Sequence, residues 1–244
     1  MHAAGHAYNL MSEGETANIH AAVLRILAEV GLEIENRALL EALAADGARV
    51  DFAAWRATFP PARVERFLAE AEKHDWENAA PWLGGSAGIY HGRFHDPIGG
   101  DLLAWDERSL AFYCDLAARQ EMLSGASLLG SRLLPPGSPA ALEPLYERYY
   151  AWKYGAAEGG SIYLDEICPF LYELYELRAT QLGKPLAEVF NATVYLVPAC
   201  KLGRHEACQL EWFRQKGLRV GAGDMLAMGA TSPVTLAGSV ALNT

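Results

Sequence analysis

The sequence predicts an α/β protein, with a parallel sheet and helices packed outside it. Two observations carry this. Over 244 residues the apolar fraction is 51%, ample for a packed core of one large domain or two small ones. From Leu123 onward, short apolar runs alternate with longer helical patterns, the signature of repeated βα units. By spacing there are four such units, half the number in an eight-fold barrel.

Residues 1–9 have no periodic pattern and read as a loose tail. Ser12 and Glu15 form a capping-box pair behind the apolar Leu10. Ile19, Val23, Ile26, Leu27 and Val30 then give one buried helical face, and Gly31 ends it. A second helix follows Asn36 and runs through Leu39, Leu40 and Leu43 to Asp46-Gly47. Pro60-Pro61 starts a third, with Val64, Phe67, Leu68 and Ala71 inward. An N-terminal helical region over 1–86 is therefore expected, as scaffold, with the barrel portion over 87–244.

Gly88–Gly92 and Asp101–Trp105 read as two short strands of a hairpin. Asp106 caps a helix to about Gln120. The units then follow as strand Leu123–Leu129 with helix Pro139–Tyr154, and strand Ser161–Leu164 with helix Cys168–Leu182. The third is strand Asn191–Val197 with helix His205–Lys216. The fourth strand, Arg219–Ala222, leads through a loop of small residues to Ser232-Pro233, a hydroxyl cap with proline at the first helical position. The chain stops at Thr244 inside that helix without a C-cap signal, so a fragment is expected. Half a barrel would leave its first and fourth strands as open edges that a complete barrel would pair.

Net charge is -10 and the pI about 5.2, with no lysine-arginine cluster, a poor footprint for nucleic acid or anionic membrane. Cys114, Cys168, Cys200 and Cys208 form no C-x-x-C pair, no signal peptide precedes them, and no apolar run is long enough to span a bilayer. A soluble cytoplasmic protein is expected.

The segment Gly229-Ala230-Thr231-Ser232-Pro233-Val234-Thr235-Leu236-Ala237-Gly238, preceded by Gly223-Asp224-Met225, resembles the hallmark segment of the trimethylamine methyltransferase family of corrinoid-dependent enzymes. Looser similarity extends from Leu10–Gly31 through Gly47-Ala48-Arg49-Val50-Asp51. It departs at Asp106-Glu107-Arg108-Ser109, where a Gly-Glu-Arg-Arg-type turn is absent. The resemblance implies a partial (β/α)8 TIM barrel behind a helical cap. It also implies methyl transfer from trimethylamine or a betaine-like quaternary amine to the cobalt of a partner corrinoid protein. No cofactor or metal is then bound by this chain directly, and a homo-oligomer is expected. Family members that use trimethylamine carry pyrrolysine in the half of the barrel that is absent here.

In such barrels the working residues follow the strands. They would be Leu129-Gly130-Ser131, Tyr163-Leu164-Asp165-Glu166, Pro198-Ala199-Cys200-Lys201 and Gly223-Asp224-Met225. Tyr163 offers an aromatic face, and Asp165, Glu166 and Asp224 negative charge. A quaternary nitrogen donates no hydrogen bond and is held by both. The plain alternative for Asp165 and Glu166 is capping of the following helix. Met225 lies beside Asp224 and completes the expected binding set with Gly229, Thr231 and Ser232. Thr231 and Ser232 are candidates for a substrate carboxylate or simply for N-capping, and Gly229 for backbone geometry. No catalytic residue is assigned.

Three further constellations carry residue types capable of chemistry or contact. His91, His95 and Asp96 have metal-ligand chemistry but sit in a hairpin loop without a third histidine, so a solvated loop is the default. Cys200 beside Lys201, with His205 one turn on, has the makings of a nucleophile pair, although a small buried residue before a helix is commoner. Tyr146-Glu147-Arg148-Tyr149-Tyr150, with Trp152 and Tyr154, reads as an amphipathic outer helix, with a subunit or partner face as the alternative. A non-catalytic half-barrel that binds a small ligand or a corrinoid protein is the competing function.

Overall fold

The computed structural model describes residues 11–73, 75, 85–89, 92–96, 98–128, 133–196 and 199–243. The tail 1–9, Leu10, His91, Leu129-Gly130-Ser131 and Pro198 lie outside the described residues. The chain is mixed α/β and folds as two compact units. One comprises Met1–Lys73, Leu196–Ala207 and Asp224–Thr244, the other His74–Tyr195 and Cys208–Gly223.

The first helix, α1 (Glu13–Arg25), starts at the expected capping box. The Ser12 hydroxyl accepts from Glu15 N, and the Glu15 carboxylate accepts from Ser12 N at 2.8 Å. A π-turn over Ile26–Val30 ends it, with Gly31 N donating to Ile26 O at 2.8 Å. Strand β1 (Leu32–Ile34) leads to α2 (Arg37–Ala45), whose N-cap Asn36 accepts from Leu39 N at 2.9 Å. Strands β2 (Arg49–Asp51) and β3 (Arg56–Thr58) precede α3 (Pro61–Glu70). The expected three helices are present, but three strands stand between them where only helices were expected. Each strand has three residues, too few to show an alternating pattern in sequence.

Strand β4 (Gly85–Ile89) pairs parallel with β7 (Leu123–Leu128). The hairpin is instead β5 (Arg93–His95) with β6 (Leu102–Ala104), antiparallel, which corrects the expected pairing of Gly88–Gly92 with Asp101–Trp105. The reason lies in the turn, where Asp96 accepts from Ile98 N and Gly99 N at 3.0 Å and so closes it over 96–99. Helix α4 (Glu107–Ala118) is capped reciprocally by Asp106 and Ser109.

Helix α5 (Glu143–Tyr154) is followed by β8 (Ala157–Glu158), α6 (Cys168–Leu182), a short α7 (Leu186–Val189) and β9 (Thr193–Leu196). Then come β10 (Lys201–Leu202), α8 (Arg204–Gln215), β11 (Gly221–Asp224) and α9 (Leu236–Asn243). The strand expected over Ser161–Leu164 lies earlier, at Ala157–Glu158, and continues only as a single parallel bridge from Ser161 to Thr193. The strand expected over Arg219–Ala222 lies two residues later.

In the second unit β7 pairs parallel with β8, and Ser161 bridges to β9. Gly221 N bonds Ala192 O and Met225 N bonds Leu196 O, so β9 and β11 also advance together. Neighbours therefore follow chain order within two small sheets, β4-β7-β8 and β9-β11, joined only by the Ser161–Thr193 bridge, with helices in the connections and no closed barrel among the described residues. One core cluster centres on Ile89, Leu110, Leu128 and Ala151, and another on Cys168, Leu171, Tyr175 and Phe213. In the first unit the sheet order is β10-β1-β3-β2, with Ile34, Leu40 and Ala57 fully buried or nearly so. No described helix is long and apolar enough to cross a membrane.

Candidate functional site

Two stretches that follow parallel strands hold the candidate residues, one in each unit. In the second unit the chain leaves the Ser161 bridge through the buried Ile162 to Tyr163, which is 45% exposed. A 3-10 turn over Asp165–Ile167 then enters α6. The N-cap position of α6 is Ile167, with no side-chain cap bond. Asp165 is half-buried and Glu166 exposed. An aromatic ring and two carboxylates thus stand within four successive residues at a strand end.

This strand end is held by groups that periodicity did not single out. Gln209 on α8 is fully buried, and its Nε2 donates to Ile162 O at 3.2 Å, one residue before Tyr163. The signal in sequence was a neutral amide one turn from Phe213 on an otherwise apolar stripe. Arg148, also fully buried, donates to Ser161 O (3.3 Å), Asn191 O (3.1 Å), Pro144 O (3.0 Å) and Tyr175 Oη (3.0 Å). Tyr175 Oη donates to Asn191 O at 2.8 Å, and burial pushes its phenol well above the ordinary range. Gly159 lets the strand pass, since a Cβ there would lie 2.2 Å from Glu147 Oε1 and 2.8 Å from Leu128 O. Cys168, at the start of α6, is no nucleophile. Burial, reinforced by the Asp165 charge, pushes its thiol up to about 12.

In the first unit Asp224 ends β11 and is exposed, and Met225 and Met228 are 63% and 56% exposed. The loop closes on itself. Ala227 O accepts from the N–H groups of Ala230, Thr231 and Ser232, while Thr231 Oγ1 accepts from Ala227 N at 2.8 Å. Gly229 takes φ +83°, a region that favours glycine, and its N–H donates to Ser232 O. Ser232 is buried, with its hydroxyl on Ser239 Oγ at 2.8 Å.

The expected helix start at Ser232-Pro233 is therefore corrected. Helix α9 begins at Leu236, and Thr235 Oγ1 accepts from Gly238 N at 3.2 Å. Because α9 starts at Leu236, Ser232 does not stand at its N-cap; its N–H donates to Ala227 O and its hydroxyl to Ser239 Oγ. Thr231 and Ser232 spend their hydroxyls on the loop, and what the loop presents is Met225, Met228 and Val234.

Cys200 and Lys201 do not form an activated thiol pair. Cys200 has φ +52°, and its carbonyl accepts from Glu33 N. Lys201 Nζ lies 2.8 Å from Glu33 Oε1 and also pairs with Glu35, so its charge is already neutralised. Those hydrogen bonds raise its pKa and lower that of Glu33. Asp96 spends both carboxylate oxygens on its own turn, as above, which gives the solvated-loop reading its physical content.

No protein-family model matches the chain, and no curated protein is significantly similar to it.

Proposed function

We propose that this chain is half of a (β/α)8 barrel belonging to a methyltransferase that takes a methyl group from trimethylamine or a betaine-like quaternary amine and delivers it to a corrinoid protein. The observation that supports the reading is the chain order of two small sheets, β4-β7-β8 and β9-β11, linked by the Ser161–Thr193 bridge, with the last strand running into the segment Gly223–Gly238. Open α/β sheets and barrels keep their chemistry in the loops after the strands.

Tyr163, Asp165 and Glu166 supply the recognition. A methylated ammonium has no N–H to donate, so a π-face and nearby carboxylates discriminate in its favour. Gln209 and Arg148 act behind them as positioning residues by fixing the carbonyls of Ile162 and Ser161. The corrinoid, brought by the partner protein, would supply the electron pair that accepts the methyl group, and the N–CH3 bonding pair would stay with nitrogen. A quaternary substrate thereby departs as a neutral tertiary amine, with no proton to be supplied. This chain's task is to align the cation and exclude water.

The first measurement is binding of glycine betaine, tetramethylammonium and trimethylamine to the purified chain by ligand-observed NMR. A methylated cation should bind, and Tyr163→Ala should weaken it about 2- to 30-fold, the range for one cation–π contact of roughly 0.5–2 kcal/mol. Methylation of a reduced corrinoid protein, followed by its visible spectrum, is the second. Binding without transfer would favour the non-catalytic half-barrel. No binding of any methylated amine would sink the proposal.

A further inference from the structure

Helix α5 is turned opposite to what its hydrophobicity predicts. Its buried side carries Glu143, Glu147 and Arg148, each at most 4% exposed, while its outer side carries Tyr146, Tyr149 and Tyr150. Beside it α6 is apolar on both sides. Leu171 and Tyr175 are fully buried, yet Phe170 and Leu177 are 56% and 70% exposed. α6 thus exposes large apolar side chains beside its charged Glu173 and Glu176. The two outer faces enclose a groove of about 730 Å³ within the second unit.

The groove has a definite chemistry. Tyr149 packs edge-on against Tyr150 at 5.2 Å, giving a rigid aromatic wall. Phe170 and Leu177 stand two helical turns apart, the spacing of the anchors on an amphipathic helix laid alongside. Glu173 is the one charged group among the lining side chains, and it is exposed. The aromatic wall already receives a cation, since Lys153 Nζ lies 5.7 Å from the Tyr149 ring centroid.

We propose that this groove is the docking site for a basic amphipathic helix of another protein. Its apolar side rests on Phe170, Leu177 and the tyrosines, and a lysine or arginine sits on Glu173. Charge decides between occupants. A second copy would bring another net charge of -10 and another Glu173 to the same face, whereas a basic helix is drawn to both. The inference does not depend on the methyl-transfer reading, because it uses the outer helices and not the strand ends.

The test uses the whole chain and two fluorescein-labelled synthetic helical peptides, followed by anisotropy. Both have leucines at i, i+4 and i+7; one is flanked by lysines, the other by glutamates in the same positions. The lysine peptide should bind at least tenfold tighter. Phe170→Ser with Leu177→Ser should lose at least tenfold of that affinity, and Glu173→Lys should reverse the preference between peptides. All three positions are exposed, so unchanged circular dichroism is expected and checked. Equal affinity for both peptides overturns the proposal, as does affinity unaffected by the groove substitutions. Sedimentation showing self-association that these substitutions abolish also overturns it, by assigning the groove to a second copy.

Discussion

Arg148 is held by three backbone carbonyls and a phenol oxygen. Arg148→Met would leave Ser161 O, Asn191 O and the Tyr175–Glu158 pair to find new partners in a dry interior. The expected loss is about 3–5 kcal/mol, the scale for removing one member of a buried charged network, read from the shift in urea midpoint. Lys would not rescue it, because a single ammonium cannot reach several acceptors at once. This residue was legible in sequence only as part of a tyrosine-rich helix. Hydropathy assigns charge outward, and the buried stripe of α5 is charged. Gln209 escaped for the same reason. Tyr163, Asp165 and Glu166 follow from an expected strand over Ser161–Leu164, of which the structure keeps only the Ser161 bridge.

Helix starts were the most readable elements. Ser12, Asn36 and Asp106 all cap where their side chains predict, because capping is a local contest between one hydroxyl or carboxylate and free N–H groups. Ser232 shows the limit of that logic: Ser239, seven residues on, takes its hydroxyl, and a long-range partner is invisible to a local rule. Strands of two or three residues were missed or misplaced, since their register comes from their neighbours. The stop at Gly31 was legible and is strict. It has φ +66°, and a Cβ would fall 2.1 Å from Ala57 O. Gly31→Ala should therefore cost at least about 1–3 kcal/mol, from backbone strain before any displacement of β3, again measured by chemical denaturation.

At the level of the whole molecule, the tie between distant parts of the chain is also its pH-sensitive one. Lys201 holds Glu33 across 168 residues of sequence and keeps its carboxyl below the usual glutamate value, chiefly by their hydrogen bond. A depressed folded pKa contributes stability above the unfolded value of about 4.3, and that contribution is lost as pH falls through the folded one. Lys201, raised, contributes fully below its ordinary value and loses this only as pH climbs through the higher one. Wild-type protein should thus lose more stability than Lys201→Met between pH 5 and pH 3, in parallel thermal melts. An equal loss in both would remove Glu33–Lys201 from the acid response.

The same pairing of β1 with β10 fixes an order of events as the chain is made. Each strand of the parallel sheet finds its neighbour soon after it leaves the ribosome, since pairing follows chain order. Strand β1 is different. It emerges early, yet its partner Lys201–Leu202 is made long after it. Until then one edge of β1 offers open N–H and C=O groups to any passing strand. The nascent protein is therefore open to mispairing at β1 for as long as the chain takes to reach β10.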